Sequence, residues 1–413
     1  MGTPVGTPVN SPAPWAGANH RNALLRYAAV GVGAIVAMAQ AATDVVARGH
    51  LDALYFDGAD YHQLAAGLAE HGTYGPPIAG RSPGWPVLLA AVYRVVGVHP
   101  TAGLALNVIL AGIAATLTVL LAGRLELSPL GAGVAGLGAG LCPWSLVLGA
   151  TLYTETLYSL VVVLLALLVI AARGRRAQFA WWAGIGLTTG VGILVRPQLV
   201  IWVPFGLCFA FAGRRPATAL VFAATVVLVL TPWTLRNYAR LDSFVPFDTH
   251  GGVTLAAANN DLSEGGQSSA GLPRFTSGTE VEDDQAFRSA AVRWVMADPL
   301  RFLGRMDDRL VRTFDPMTKL IHGTFGSVSL RWAARAIWAI LLAIALWGLK
   351  LRHRGPWLVP ISLVAATLLL VVVFGGGFRF LTPVVPFLSI WVVAGSTDIT
   401  ARLQERRLRG VAA

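Results

Sequence analysis

An all-α polytopic membrane protein, with about ten transmembrane helices and interfacial helices in its first outer loop, is the fold this sequence predicts. The chain has 413 residues, 55% hydrophobic and only 13% charged, with a mean hydropathy of +0.62. A soluble domain carries about 25% charged residues. Several apolar runs approach the roughly 20 residues that cross a bilayer. The basic side chains, finally, collect in alternate short loops, where they set orientation.

Residues 1–23, rich in Pro, Gly and small polar residues, read as a disordered cytoplasmic tail. The first span, 24–47, contains Ala37-Met-Ala39, which looks like a signal-cleavage site. Its apolar run is longer than a signal core and many spans follow, so a retained signal-anchor is expected. Further spans fall at 104–123, 131–150, 156–172, 180–195, 198–212, 217–235, 331–349, 357–374 and 380–397. Residues 24–235 therefore form an N-terminal transmembrane module with an outer loop at 48–103. Residues 236–330 form an extracytoplasmic region, 331–398 the C-terminal transmembrane helices, and 399–413 a basic cytoplasmic tail.

With ten spans both termini share a side. Arg21, Arg26, Arg124, Arg173, Arg175, Arg176, Arg214, Arg215, Lys350, Arg352, Arg354 and the tail Arg402, Arg406, Arg407 and Arg409 share one face. The positive-inside rule makes that face cytoplasmic. A multi-pass protein of the cell (plasma) membrane, both termini inside, is the expectation. The 32 Lys and Arg against 21 Asp and Glu thus serve orientation in the lipid bilayer, with no nucleic acid as partner. Counting 83–98 as a span would invert every later loop, so it reads as a helix at the outer interface. Within 236–330, Glu264–Gly271 reads as flexible, and a helical pattern runs from Asp284 toward Arg312 with a break at Asp298-Pro299. Cys142 and Cys208, both inside predicted spans, read as packing residues.

Candidate chemistry lies at the outer ends of spans. Asp57 and Asp60 precede an amphipathic pattern at Tyr61, Leu64, Ala65 and Leu68. Helix capping, with Asp57 at the N-cap and Asp60 near the third helical position, accounts for the spacing. Catalysis accounts for it as well, and both readings can hold. Glu155, after Thr154, is an acid in a short connection between spans: a functional group, or part of a helix start capped by Thr154. Arg81, Arg196, Arg236 and Arg379 sit at outer span ends, where few cations belong. Either they meet ordinary anionic lipid, or they hold a lipid-linked phosphate, which guanidinium groups bind bidentately. Trp85, Trp233 and Tyr238 read as belt aromatics, and His62 and His71 as solvated residues of a polar face.

Four motifs together resemble a known class. They are Asp57-Gly-Ala-Asp-Tyr61 continuing to Gly72-Thr-Tyr74 and Arg81-Ser-Pro-Gly-Trp-Pro86; Thr154-Glu155-Thr156; Pro232-Trp233 with Arg236-Asn237-Tyr238, Phe244-Val-Pro246 and Gly251-Gly252; and Arg379-Phe-Leu-Thr-Pro383 with Pro386. Their order and outer placement resemble the GT-C class of integral-membrane glycosyltransferases, nearest to the protein-mannosyltransferase and aminoarabinose-transferase group. The resemblance implies a polyprenyl-phosphate sugar donor, and a hydroxyl acceptor that is an envelope glycan, lipid or protein. It implies Asp57 as general base in an inverting displacement. The class often has a second acid directly after the first; here that position is Gly58, and Asp60 stands in as the alternative. A divalent metal near Asp57, Asp60 and Glu155 is neither required nor excluded. A polysaccharide polymerase or ligase shares the donor, whereas a transporter would gather charge at mid-membrane.

Overall fold

The computed structural model describes residues 14–47, 53–54, 56–173, 178–212, 215–270, 272, 278–316 and 328–411. The expected loop cations Arg175, Arg176 and Arg214 lie outside these residues. No strand occurs among the described residues.

The long first helix, α1 (Pro14–Ala47), starts inside the segment expected to be a disordered tail. Two short helices of the outer loop follow, α2 (Asp57–His71) and α3 (Gly84–Val96). The membrane module continues with α4 (Pro100–Arg124), α5 (Pro129–Gly140), α6 (Pro143–Gly149), α7 (Glu155–Ala172) and α8 (Gln178–Val195). A 3-10 turn at Pro197–Trp202 leads into α9 (Val203–Phe211), and α10 (Pro216–Leu241) closes the module. The second outer region holds α11 (Gly251–Ala258), α12 (Glu280–Ala297), α13 (Pro299–Gly304) and α14 (Met306–Phe314). Last come α15 (Val328–Leu351), α16 (Leu358–Phe374), the single turn α17 (Phe378–Leu381) and α18 (Val385–Val411).

Among the described residues, eight helical segments are long and apolar enough to cross a membrane. The predicted span 131–150 is instead the pair α5 and α6, bent by 51° where Pro143 restarts the helix. The predicted span 198–212 is the 3-10 turn followed by α9, too short for a straight crossing. The ambiguous stretch 83–98 is the short helix α3, whose Trp85, Leu89, Ala90 and Tyr93 are buried while Val95 and Val96 face outward.

Small residues let the membrane helices approach. A Cβ on Gly33 of α1 would stand 2.9 Å from the Gly112 carbonyl of α4, so the two backbones meet where neither carries a side chain. The break expected at Asp298-Pro299 separates α12 from α13, with the Asp298 side chain accepting from the Arg301 amide. Within the stretch expected to be flexible, Gly265 and Gly266 are buried, and the Gly376 amide donates to the Gly265 carbonyl at 2.8 Å; Gly271 lies outside the described residues. This bond ties the second outer region to the start of the last helices.

Candidate active site

The helix α2 starts at Asp57 itself. Phe56, at φ 40°, is its N-cap and no side chain caps it. Asp57 and Asp60 are thus first-turn residues, favoured by the helix dipole, and the expected Asp57 cap is not made. Likewise Thr154 precedes α7 without a capping bond, its hydroxyl buried and unpaired, and Glu155 is the first helical residue. Neither acid is occupied by capping.

Instead the acids alternate with guanidinium groups. Arg81 Nη2 lies 2.7 Å from Asp57 Oδ1 and 2.7 Å from Asp60 Oδ2. Arg379 Nη1 lies 2.7 Å from the other Asp57 oxygen, and its Nε donates to Glu155 Oε1. Arg196 Nη1 donates to the same Glu155 oxygen at 3.1 Å. The run Asp60, Arg81, Asp57, Arg379, Glu155, Arg196 is therefore a chain of alternating charge, three of each sign. Aromatic faces back it: Tyr153 lies 4.2 Å below the Arg379 guanidinium, Tyr61 lies under Arg81, and Tyr158 under Arg196. Burial alone would raise the Asp57 carboxyl, but Arg379 and Arg81 outweigh it and hold the group well below the usual carboxylate range. Burial raises the Tyr61 hydroxyl.

Four members of this network, Asp57, Arg81, Arg196 and Arg379, line a cavity of about 750 Å³. Its lining includes the polar or aromatic Asp57, Tyr61, Arg81, Tyr153, Arg196, His250 and Arg379 and the apolar Leu148, Val200, Ile201, Leu370 and Phe374. A second cavity of about 640 Å³, lined by Asp60, Gln63, Glu280, Asp283 and Asp284, lies beyond Arg81 and His250. Those two residues border both cavities.

Other sequence candidates lie elsewhere. Arg236 borders neither cavity. Its guanidinium donates to the carbonyls of Ile78 and Tyr74 and to Asn237 Oδ1, sandwiched against Trp233 and Tyr74. Asn237 is fully buried and donates to the Val245 carbonyl, while Tyr238 is exposed. The Arg236-Asn237 pair thus straps two outer segments to the end of α10. Trp85, expected in the aromatic belt, is fully buried and donates to the Leu152 carbonyl at 2.8 Å. His62, expected in solvent, pairs with the Tyr93 hydroxyl at 2.7 Å.

Sequence reasoning missed His250, Asp248 and Ser82. Ser82 Oγ donates to Asp248 Oδ2 at 2.7 Å, and the His250 amide donates to Asp248 Oδ1 at 3.1 Å. Burial raises the Asp248 carboxyl, whereas burial and the Arg81 charge push the His250 imidazole down to about 4. A titratable residue immediately before Gly251-Gly252 was the available signal. Gly252 is required there because its amide meets the Asp284 carboxylate, which a Cβ would strike.

The acids do not suit a divalent metal. Asp57, Asp60 and Glu155 are each bonded to guanidinium groups, and no cluster of three His, Cys, Asp or Glu able to hold an ion occurs among the described residues.

The fold is like that of solved archaeal oligosaccharyltransferases. Among solved structures, the chain matches the archaeal oligosaccharyltransferase AglB from Archaeoglobus fulgidus, in complex with an inhibitory peptide and a dolichol-phosphate. That match has a TM-score of 0.54 at 13% identity over 93% of this chain and 52% of the other. An Archaeoglobus fulgidus oligosaccharyltransferase tethered to an acceptor peptide matches with a TM-score of 0.55 at 14% identity, over 92% and 51% of the two chains. ArnT from Cupriavidus metallidurans bound to undecaprenyl phosphate matches with a TM-score of 0.39 at 13% identity, over 81% and 72%. This chain spans about half the length of the oligosaccharyltransferases it matches. No protein-family model and no curated protein matches it.

Proposed function

We propose that this chain is a multi-pass glycosyltransferase of the plasma membrane, both termini cytoplasmic, that moves a sugar from a polyprenyl-phosphate donor to a hydroxyl of an envelope glycan, lipid or protein. One observation carries the reading. The larger cavity is lined both by arginines with Asp57 and by apolar side chains, which suits a molecule with an isoprenoid tail, a phosphate and a sugar. The dolichol-phosphate held by the oligosaccharyltransferase of like fold supports the donor class. The acceptor peptide tethered to an oligosaccharyltransferase of like fold supports a separate acceptor.

In this reading Arg81, Arg196 and Arg379 meet the donor phosphate, and Arg236 serves the fold instead. The three guanidiniums are preorganised by Asp57, Asp60 and Glu155, so little rearrangement is needed as charge grows on the leaving phosphate. An acceptor hydroxyl attacks the anomeric carbon from the second cavity while the phosphate departs into the first, which inverts the centre. Asp57 lines the first cavity and Asp60 the second. In the free protein both Asp57 oxygens are bonded to guanidinium groups, so Asp57 is not free to accept a proton unless the donor phosphate draws Arg379 or Arg81 away.

The test is sugar transfer by purified protein from a panel of polyprenyl-phosphate sugars to crude envelope acceptor, with Asp57→Asn in parallel. Turnover of one donor, abolished in a folded Asp57→Asn, is the expected result. A wild type inert toward every donor counts against the transferase reading.

A further inference from the structure

We propose that His250 takes the proton from the attacking hydroxyl, and that Asp57 supports this transfer electrostatically instead of performing it. The inference rests on the transferase reading above.

The linings of the two cavities share residues, and a group common to both is placed to touch an acceptor whose hydroxyl enters from one and reacts in the other. Arg81 and His250 line both cavities, whereas Asp57 borders only the first and Asp60 only the second. Arg81 is permanently protonated and its guanidinium is committed to the two acids. His250 is therefore the one proton-accepting side chain common to the two spaces.

Its surroundings suit that role. The backbone is fixed from three sides: the amide donates to Asp248 Oδ1, the carbonyl accepts from Thr254 Oγ1 at 2.9 Å, and Asp248 is held by Ser82. The imidazole has no hydrogen-bond partner among the described residues, so a nitrogen lone pair is open to a ligand. Neither carboxylate matches this, because each must first give up an ion pair.

The charges around the ring make its basicity depend on the donor. Facing it are Asp57 and Asp60 from α2, Arg81 from the outer loop and Arg379 from α17. Asp248 lies on its own segment, and α12 brings Asp284 with its partner Arg288. Burial and the Arg81 charge keep the imidazole neutral in the free protein. A phosphate bound between Arg81 and Arg379 offsets those positive charges and raises the proton affinity of the ring. His250 thus becomes a better base once the donor is in place, and Asp57 stabilises the imidazolium that forms.

The step balances. The acceptor oxygen forms a bond to the anomeric carbon, and its proton passes to an imidazole nitrogen. The bond from the anomeric carbon to the phosphate oxygen breaks, with its electron pair leaving on the polyprenyl phosphate. The imidazolium then returns its proton to solvent through the second cavity.

The experiment compares wild type, His250→Ala and His250→Gln in detergent-purified protein, each checked for an unchanged melting temperature. It uses the donor that the wild type turns over, with and without added imidazole, across pH. Loss of a general base lowers kcat by roughly 10²–10⁴-fold. We expect that loss in both variants with donor KM unchanged. Added imidazole should restore part of the rate in His250→Ala, in proportion to its neutral fraction, and none in His250→Gln. Wild-type kcat in His250→Ala overturns the proposal. So does a loss that imidazole leaves untouched while the pH profile stays that of the wild type, since the ring would then only pack. A wild type that turns over no donor overturns the transferase reading itself, and this assignment with it.

Discussion

Replacing Arg379 by lysine and by glutamine is the most informative perturbation of this network. Its guanidinium bridges two acids, with Nη1 at 2.7 Å from Asp57 and Nε on Glu155. A lysine keeps the charge but is a point donor without the planar fork, so it reaches one acid or the other. The lost charge-assisted bond is worth about 1.5–3 kcal/mol. Since about 1.4 kcal/mol is tenfold, Arg379→Lys should lower kcat/KM by one to two orders of magnitude. Glutamine removes the positive charge that would face the leaving phosphate, a change that costs about 10²–10³ in kcat at comparable sites. It also leaves Glu155, buried with 1% exposure, to Arg196 alone. Breaking a buried pair costs about 3–5 kcal/mol when no partner remains, so with Arg196 present the loss falls below that range. The assay is transfer from the cognate polyprenyl-phosphate sugar, normalised to folded protein, with melting curves alongside. Wild-type kcat/KM in Arg379→Lys, or a Gln variant that loses stability but keeps its specific activity, would refute the phosphate-clamp reasoning.

Four further outcomes follow from the same geometry. Asp57→Asn should abolish turnover while Asp60→Asn reduces it less, because Asp57 orders two arginines and Asp60 one; equal effects in steady-state assays would contradict this. Glu155→Gln should cost more stability than activity-neutral surface changes, measured by melting temperature, since it leaves Arg196 against a neutral amide and Arg379 to Asp57 alone. Arg236→Ala should loosen the outer loops, seen as faster proteolysis near Tyr74 and Ile78, yet leave donor KM unchanged. Finally, a histidine titrates near 6.5 when unfolded, whereas His250 is held at about 4 in the fold. Between these values the unfolded state binds the extra proton, so stability is full above pH 6.5 and falls as pH drops toward 4. The loss is at most about 3 kcal/mol at 1.36 kcal/mol per pH unit, and His250→Gln should flatten that part of a melting-temperature profile.

Much of the site was legible because membrane proteins restrict where charge can stand. Asp57, Asp60, Arg81, Glu155, Arg196 and Arg379 all drew notice as ionisable groups at outer span ends, and they converge in one network. Arg236 carried the same signal and went elsewhere. Nothing in its neighbourhood reveals that the carbonyls of Tyr74 and Ile78 lie within reach, since that depends on how the first outer loop folds back over α10. Trp85 misled in the same way: an aromatic at a span end suits the bilayer interface, but burial against Leu152 is decided by packing.

The sequence by itself determined the placement of the apolar stretches, the helical class, and the family resemblance carried by short motifs at span ends. Those properties are local, set by transfer free energy along the chain and by where cations gather. The tertiary structure alone decided which arginines face the acids, that α5 and α6 bend apart, and that His250 stands between two cavities beside Asp57. These are contacts between segments far apart in the chain, settled by close helix approach and by the pairing of buried charge, and no local pattern encodes them.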